Sequence, residues 1–291
     1  MMKEQTILLI GGKGKTGRRV AERLLNIGYK NIRIGSRSET PPFDWENPDT
    51  WPAAIAGVDA VYVTFQPDLA IPTAAETIQK FATLGTNSGI QKIVLLSGRG
   101  ETEAQVSEKI VMDTVKNWTI VRASWFNQNF SESIFLEPIL SGQVALPRAE
   151  ALEPFIDADD IADVVVEALT DDKHNGQIYE LTGPSLLTFP QAIDQIAKAT
   201  GNNIVFQSLT LEENVALLRQ YQLPEDHIWL FNYLFSEVLD GRNASVTEDV
   251  QKVLGRKAKD FTAYVKEIAA TGIWNSATHK QAVNQGQITK I

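Results

Sequence analysis

Apolar residues in the first part of this chain fall in short runs, and between the runs they recur at helical spacing. Residues 6–10, 31–35, 60–65, 92–96, 118–121 and 177–182 read as six strands, each short and rich in Ile, Val or Leu. The stretch after the first strand places Val20, Leu24 and Ile27 on one helical face. Residues 71–84 and 101–116 read as further helices, the latter carrying Val106, Ile110 and Val111 inward. Strands that alternate with helices need crossover connections, which predicts a mostly parallel sheet covered on both faces. After Gly183-Pro184 the pattern turns helical. Thr188 is placed to cap a helix running towards Ala199, with Gly201 ending it, and Thr210 with Glu213 forms a capping box opening a helix over 211–221. Two more helices are expected around 224–239 and 261–271. Residues 276–291 are polar and aperiodic and read as a loose tail. The expected organisation is a doubly wound α/β domain over 1–184, a smaller, mainly helical substrate lobe over 185–275, and the tail.

Composition narrows the chemistry. The 291 residues are 43% hydrophobic and 22% charged, as in ordinary globular chains. Cysteine is absent, which removes disulfides, thiolate zinc sites, iron–sulfur clusters and a cysteine nucleophile. His174, His227 and His279 are scattered, so no metal site is expected. The 27 basic and 36 acidic residues give a net charge of -9, which disfavours nucleic acid and anionic membranes as partners. No apolar run is long enough to span a bilayer, and the glycines soon after the first strand argue against a signal peptide. The expected location is the cytoplasm.

The segment Gly11-Gly12-Lys13-Gly14-Lys15-Thr16-Gly17 follows the first strand and opens the first helix. Its glycines at 11, 14 and 17 allow a tight turn, close approach of a pyrophosphate to backbone N–H groups, and packing of helix on strand. Lys13, Lys15 and Arg18 add positive charge. Gly14-Lys15-Thr16 imitates the end of a nucleoside-triphosphate loop, but Leu9 stands where that pattern needs its first glycine. The loop therefore points to a Rossmann-type dinucleotide site. NAD sites usually place an acid about 20 residues beyond the last glycine, to bond the ribose 2′-hydroxyl. Here Ser36-Arg37-Ser38 stands instead, and a guanidinium flanked by hydroxyls suits a 2′-phosphate. NADP(H) is expected over NAD(H).

Together these segments resemble the NmrA-like branch of the atypical short-chain dehydrogenases/reductases. The likeness runs to about Trp274. It rests on residues 10–17, Gly35-Ser36-Arg37, Gly57-Val58-Asp59-Ala60-Val61, residues 118–129 including Trp125-Phe126-Asn127-Gln128-Asn129, Phe155-Ile156-Asp157 with Asp160-Ile161-Ala162, and Tyr179-Glu180-Leu181-Thr182-Gly183-Pro184. Asp240-Gly241-Arg242 and Leu254-Gly255-Arg256 are similar to the subgroup of ergot-alkaloid dehydrogenases and their bacterial relatives. The resemblance implies pyrophosphate at the glycine loop and the 2′-phosphate at Arg37. It implies Thr64, Phe65 and Gln66 along the cofactor cleft, with Asp44 either near the adenine or an ordinary loop carboxylate. Ser97 stands where the wider superfamily often has a catalytic serine. The resemblance puts Trp125, Phe126 and Asn127 beside the nicotinamide and the substrate, although the two aromatics suit a hydrophobic core equally well.

One expected feature is missing. Short-chain dehydrogenases usually relay a proton through Tyr-x-x-x-Lys. Four residues after Tyr29, Tyr62, Tyr179, Tyr221, Tyr233 and Tyr264 stand Arg33, Gln66, Gly183, Glu225, Glu237 and Ile268. By the family pattern, Gly100 and Ala104 occupy the relay positions. This excludes ordinary alcohol dehydrogenation and sugar-nucleotide epimerisation as first choices. Two classes remain. One is an NADPH-dependent reductase of a small conjugated electrophile (quinone, activated alkene or iminium), with a proton from solvent or a weak donor such as Ser97. The other is a catalytically silent NADP(H) sensor acting on a partner protein. Asp157, Asp159 and Asp160 read as a helix cap and first turn, Glu108 as a solvated or salt-bridged glutamate, and His174 as a surface residue. Residues 231–239 with Trp229 read as the apolar face of a second-lobe helix, or as a pocket wall or dimer contact.

Overall fold

The structure, a computed structural model, describes residues 4–275. Its strands are β1 (Ile7–Ile10), β2 (Ile32–Gly35), β3 (Ala60–Val63), β4 (Lys92–Gly98), β5 (Asn117–Ala123), β6 (Gln143–Pro147), β7 (Gln177–Leu181) and β8 (Val205–Leu209). Its α-helices are α1 (Lys15–Asn26), α2 (Trp51–Ile55), α3 (Ala74–Asn87), α4 (Ala104–Thr114), α5 (Leu136–Ser141), α6 (Ala158–Thr170), α7 (Phe189–Thr200), α8 (Leu211–Gln220), α9 (Glu225–Tyr233), α10 (Asp249–Leu254) and α11 (Phe261–Thr271). They divide into two compact units. The first holds residues 4–123, 158–181 and 248–256, and the second holds 124–157, 182–247 and 257–275. One crossing, at 181/182, lies close to the boundary expected after residue 184. The chain also crosses at 123/124, 157/158, 247/248 and 256/257, so each unit is built from separated segments. The expected loose tail, 276–291, lies outside the described residues.

The first unit contains all six expected strands. They form one parallel sheet in the order β2-β1-β3-β4-β5-β7. β1 and β3 are buried along their whole length, as strands covered on both faces must be. β2 lies on one side of β1, and β3, reached by a crossover from β2, lies on the other, which makes the carboxyl ends of β1 and β3 the switch point where doubly wound sheets bind ligands. One sheet face packs Leu8, Val61 and Leu95 against Phe43, Trp51, Phe81 and the helices α3 and α4. α1 packs on α6. Arg19 and Arg23 pair with Asp159 at 3.3 and 2.8 Å, Arg23 also bonds Asp163, and Arg256 bonds Asp160 and Asp163. Asp159 and Asp160 stand in the first turn of α6, as expected, and also anchor arginines from α1 and from beyond α10.

Val106 is 54% exposed rather than inward, because α4 turns Ala104, Ser107, Glu108 and Val111 inward and commits this face to a buried ion pair. Ile27 lies beyond the end of α1 and is exposed, leaving Val20 and Leu24 as the inward residues. His174 is buried rather than on the surface. Its Nδ1 meets the Tyr179 hydroxyl at 2.8 Å, and burial lowers its pKa.

The second unit has an aromatic core that includes Phe130, Phe135, Phe155, Phe189, Phe261 and Trp274. α7 and α8 begin where expected. Thr188 and Gln191, then Thr210 and Glu213, form reciprocal capping boxes. Thr188→Ala is expected to lower stability by about 1 kcal/mol in urea unfolding, since the Gln191 N–H loses its acceptor. α9 runs into a π-helical turn, Leu234–Val238, within the stretch expected as one helix. The unit is not wholly helical, for β6 and β8 pair in parallel from Gln143↔Val205 to Pro147↔Leu209. β8 is largely exposed, and Gln207 and Ser208 interrupt its apolar residues.

Candidate cofactor site

The glycine loop leaves β1 through Gly11, whose φ of +70° favours glycine. A Cβ there would meet the Thr64 hydroxyl oxygen at 2.0 Å. Thr64 donates to the Ile10 carbonyl at 3.0 Å, and this bond ties the end of β3 to the loop. Gly14 N–H donates to the Gly11 carbonyl at 2.8 Å and closes the turn. At Gly17 a Cβ would lie 2.3 Å from the Gly11 oxygen and 2.6 Å from the Gly12 Cα, so the first turn of α1 can approach the loop only without a side chain.

α1 starts at Gly14 without a side-chain cap and with no acid in its first turn. α7 and α8 fill the same place with threonine and glutamine or glutamate. An uncapped first turn beside Lys13, Lys15 and Arg18 offers backbone N–H groups and positive charge to an anion, which is what a dinucleotide pyrophosphate requires. Gly12 packs under this turn against Ile34. Thr16 is buried, and its Oγ1 accepts the Tyr62 hydroxyl at 2.8 Å. Its side chain therefore braces α1 on β3, and burial pushes the Tyr62 phenol well above its usual range.

Beyond β2, Ser36 and Ser38 lie 3.1 Å apart through their hydroxyls. Lys13 reaches across to donate to Ser38 at 2.7 Å and pairs with Glu39 at 2.6 Å. Arg37 is exposed beside them. The loop and the end of β2 thus bring together Lys13, Ser36, Arg37 and Ser38, a set of donors suited to a phosphate monoester. Asp44 serves its own loop, its Oδ1 accepting the Glu46 N–H at 3.1 Å and its carbonyl accepting Trp51 Nε1 at 2.7 Å. Trp45 Nε1 donates to the Thr64 carbonyl at 3.0 Å, and its ring tilts against Phe65 at 4.9 Å. Thr64 and Phe65 are half-buried and Gln66 is exposed at the carboxyl end of β3. The Trp45 anchor carried no signal in the sequence.

Ser97 is buried near the end of β4, and its hydroxyl donates to Glu108 Oε1 at 2.6 Å. Glu108 is wholly buried and takes both Nε and Nη2 of Arg122, the latter at 2.7 Å. Arg122 and Arg99 each reach Glu180, both at 3.2 Å. The Ser97 proton is thereby held in a network across β4, β5, β7 and α4. Nearby, the Glu101 carboxyl lies against that of Asp68, which accepts the Ala70 N–H at 2.8 Å. Burial, then the Asp68 charge, holds Glu101 well above the usual carboxylate range. Sequence reasoning missed this pair. Its one trace was an acid directly after Gly98-Arg99-Gly100, next to the place of the absent tyrosine.

In the second unit Trp125 is half-buried, stacked on Phe135 and edge-on to Phe189. Phe126 bridges to Ile156. Asn127 is wholly buried and faces Asp157 at 3.5 Å, while Gln128 donates to the same carboxylate at 3.1 Å. Trp125 and Asn127 thus take part in the internal packing of this unit. Among the described residues no cluster of His, Asp and Glu could hold a metal, and no helix is long and apolar enough to cross a membrane.

No family model matches the chain. An uncharacterized oxidoreductase, YesF, of Bacillus subtilis (strain 168) is 29% identical over 287 residues, spanning 94% of this chain and 99% of the relative. An NAD(P)H azoreductase of Xenophilus azovorans is 28% identical, spanning 91% and 98%. Festuclavine dehydrogenase of Aspergillus fumigatus is 28% identical, spanning 90% and 97%. Among solved structures, the triphenylmethane reductase of Citrobacter sp. complexed with NADP(H) superposes with a TM-score of 0.76 at 17% identity, covering 90% of this chain and 99% of the other. An NADPH-dependent quinone oxidoreductase of Escherichia coli gives 0.75 at 18%, with the same coverage. The two structural likenesses concern the fold.

Proposed function

We propose that this chain, a homologue of the clavine dehydrogenases in the NmrA-like branch of the atypical short-chain dehydrogenases/reductases, is an NADPH-dependent reductase of small conjugated electrophiles such as quinones, activated alkenes or iminium ions. The family is one of NAD(P)H-dependent oxidoreductases. The observation that carries the finer reading is an intact dinucleotide loop in a chain without any Tyr-x-x-x-Lys. Relatives named for azo compounds and clavines, and folds named for quinones and triphenylmethane dyes, support acceptors with delocalised electrons. Such acceptors take hydride directly, so positioning over the nicotinamide contributes most of the rate, and an iminium ion needs no acid at all.

The uncapped first turn of α1 and the loop from Gly11 to Gly17 would hold the pyrophosphate. Arg37, with Ser36, Ser38 and Lys13, would hold the 2′-phosphate. Bound there, the reduced nicotinamide supplies the hydride. Arg37→Ala is expected to weaken NADPH binding roughly tenfold to a hundredfold, the worth of one to two charged hydrogen bonds, and to change NADH binding little. Fluorescence titration with both nucleotides checks this, and equal losses would remove the 2′-phosphate assignment. The function itself is tested by following NADPH consumption against quinones, enones and iminium compounds. Consumption with one class establishes the reductase. Tight NADPH binding without consumption would instead support a sensor that acts through a protein partner.

A further inference from the structure

The missing tyrosine leaves a question of where a proton would come from when the acceptor needs one. An iminium ion becomes a neutral amine on accepting hydride and needs no proton. A conjugated carbonyl becomes an enolate, and its oxygen must be protonated. Ser97 is poorly placed to help, because its proton already sits on a hydrogen bond to Glu108.

The Glu101–Asp68 pair has the features of a donor. Gly98 is the last residue of β4, and a Cβ on it would fall 1.8 Å from Glu101 Oε1, so the carboxyl occupies the space a side chain would fill. Asp68 follows β3, the neighbour of β4. Both acids therefore lie at the carboxyl ends of adjacent parallel strands, the end of a doubly wound sheet where ligands bind. Glu101 is 7% exposed, and its Oε2 is buried without a hydrogen-bond partner. The charges that act most strongly on it are all negative: Asp68 beyond β3, Glu108 on α4 and Glu103 just before α4. The cations of the flanking strands are engaged elsewhere, Arg99 with Glu180 and Arg122 with Glu108 and Glu180. Two carboxyl groups in contact, with no cation between them, hold one proton in common.

We propose that Glu101 is the proton donor of this reductase, passing the proton it holds against Asp68 to the oxygen of a conjugated carbonyl acceptor. The inference rests on the reductase reading above. The acceptor carbon gains two electrons and a hydrogen from the reduced nicotinamide. The acceptor oxygen gains the Glu101 proton, so one O–H bond breaks on the protein and one forms on the product. The nicotinamide leaves oxidised, and the Glu101 carboxylate recovers its proton from water. Glu101 thus does the work of the absent tyrosine from the position beside Gly100.

The test compares an enone with a preformed iminium ion in wild type, Glu101→Gln and Asp68→Asn. Glutamine keeps the shape but has no proton to transfer. The ratio of enone to iminium rates is expected to fall roughly tenfold or more in Glu101→Gln, within the range of acid catalysis. In wild type the enone rate falls as pH rises through the Glu101 titration, while the iminium rate does not. Removing the Asp68 charge moves that fall to lower pH. A second readout needs neither cofactor nor turnover. Glu101 keeps its proton longer in the folded protein than in the unfolded chain, so folding stability should decline as pH rises above the usual glutamate range. Glu101→Gln should lose that decline. An unchanged rate ratio, or a stability profile identical to that of Glu101→Gln, overturns the proposal. A wild type inert to both acceptors that still shows the stability decline overturns the donor role and places the failure in the reductase reading.

Discussion

Gly17→Ala is expected to abolish measurable dinucleotide binding and to lower the melting temperature by several degrees. The added methyl would lie 2.3 Å from the Gly11 carbonyl oxygen, 2.6 Å from the Gly12 Cα and 2.9 Å from the Gly11 carbonyl carbon. All three are backbone atoms of the same loop, so no rotamer change relieves the clash. Either α1 moves away from β1 or the loop opens, and both spoil the cradle for the pyrophosphate. Overpacking of this kind costs about 1–3 kcal/mol, and a backbone obstacle belongs at the upper end. Gly14→Ala is the internal comparison. Its Cβ meets only the Gly11 oxygen, at 3.1 Å, and its φ of −74° suits alanine. Circular dichroism melts and NADPH titration of both variants should therefore rank Gly17→Ala as much the more damaging to the fold. A Gly17→Ala protein with wild-type melting and affinity would refute the close-approach account of the loop.

The second large effect is expected at Glu108. This carboxylate is wholly buried and accepts from Ser97 and from two nitrogens of Arg122. Breaking a buried pair by removing one partner costs about 3–5 kcal/mol, because the other charge stays behind without compensation. Arg122 is 18% exposed in its side chain and keeps Glu180 at 3.2 Å, which places Glu108→Ala near the lower end, about 3 kcal/mol. Glu108→Gln retains the shape and an acceptor and should lose less. Removing both charges together, as in Glu108→Leu with Arg122→Met, should recover part of the loss, since an apolar pair leaves no orphaned ion. Urea unfolding of the three variants checks the order. If Glu108→Ala unfolds like wild type, the network contributes nothing to holding β4, β5 and α4 together.

The capping boxes show what was legible in the chain and why. Thr188 with Gln191 and Thr210 with Glu213 act within three residues of themselves, so their chemistry is written locally and the structure repeats it. The strands of the parallel sheet were equally plain: β1 and β3, buried on both faces, are unbroken apolar runs, and the edge strands β2 and β7 were read from shorter apolar stretches. β6 and β8 were not, for each is a five-residue piece set among helices with only two or three apolar residues in a row. α4 misled for a different reason. Apolar periodicity pointed Val106 inward, but the inward face contains Glu108, whose burial is possible only because Arg122 comes from β5 to meet it. His174 was misplaced in the same way, its turn-like neighbours hiding a ring bonded to Tyr179.

The candidate site divides along the same line. Gly11, Gly14 and Gly17 stand in one short segment, and the demand that a tight turn and a close helix place on glycine is local, so the glycine loop could be read from residue order alone. So could Arg37 at the end of β2 and the lack of Tyr-x-x-x-Lys. Lys13 meeting Ser38, Thr64 bonding the Ile10 carbonyl, Trp45 reaching Thr64, and above all Glu101 resting against Asp68 join segments distant in sequence. Their pairing depends on which strands become neighbours in the sheet. The sequence by itself determined the fold class, the glycine loop and the absence of the usual relay, because each is a matter of spacing along one segment. Only the tertiary structure decided which acids are buried and which partners they meet, because burial and its charge balance arise when separate segments are packed side by side.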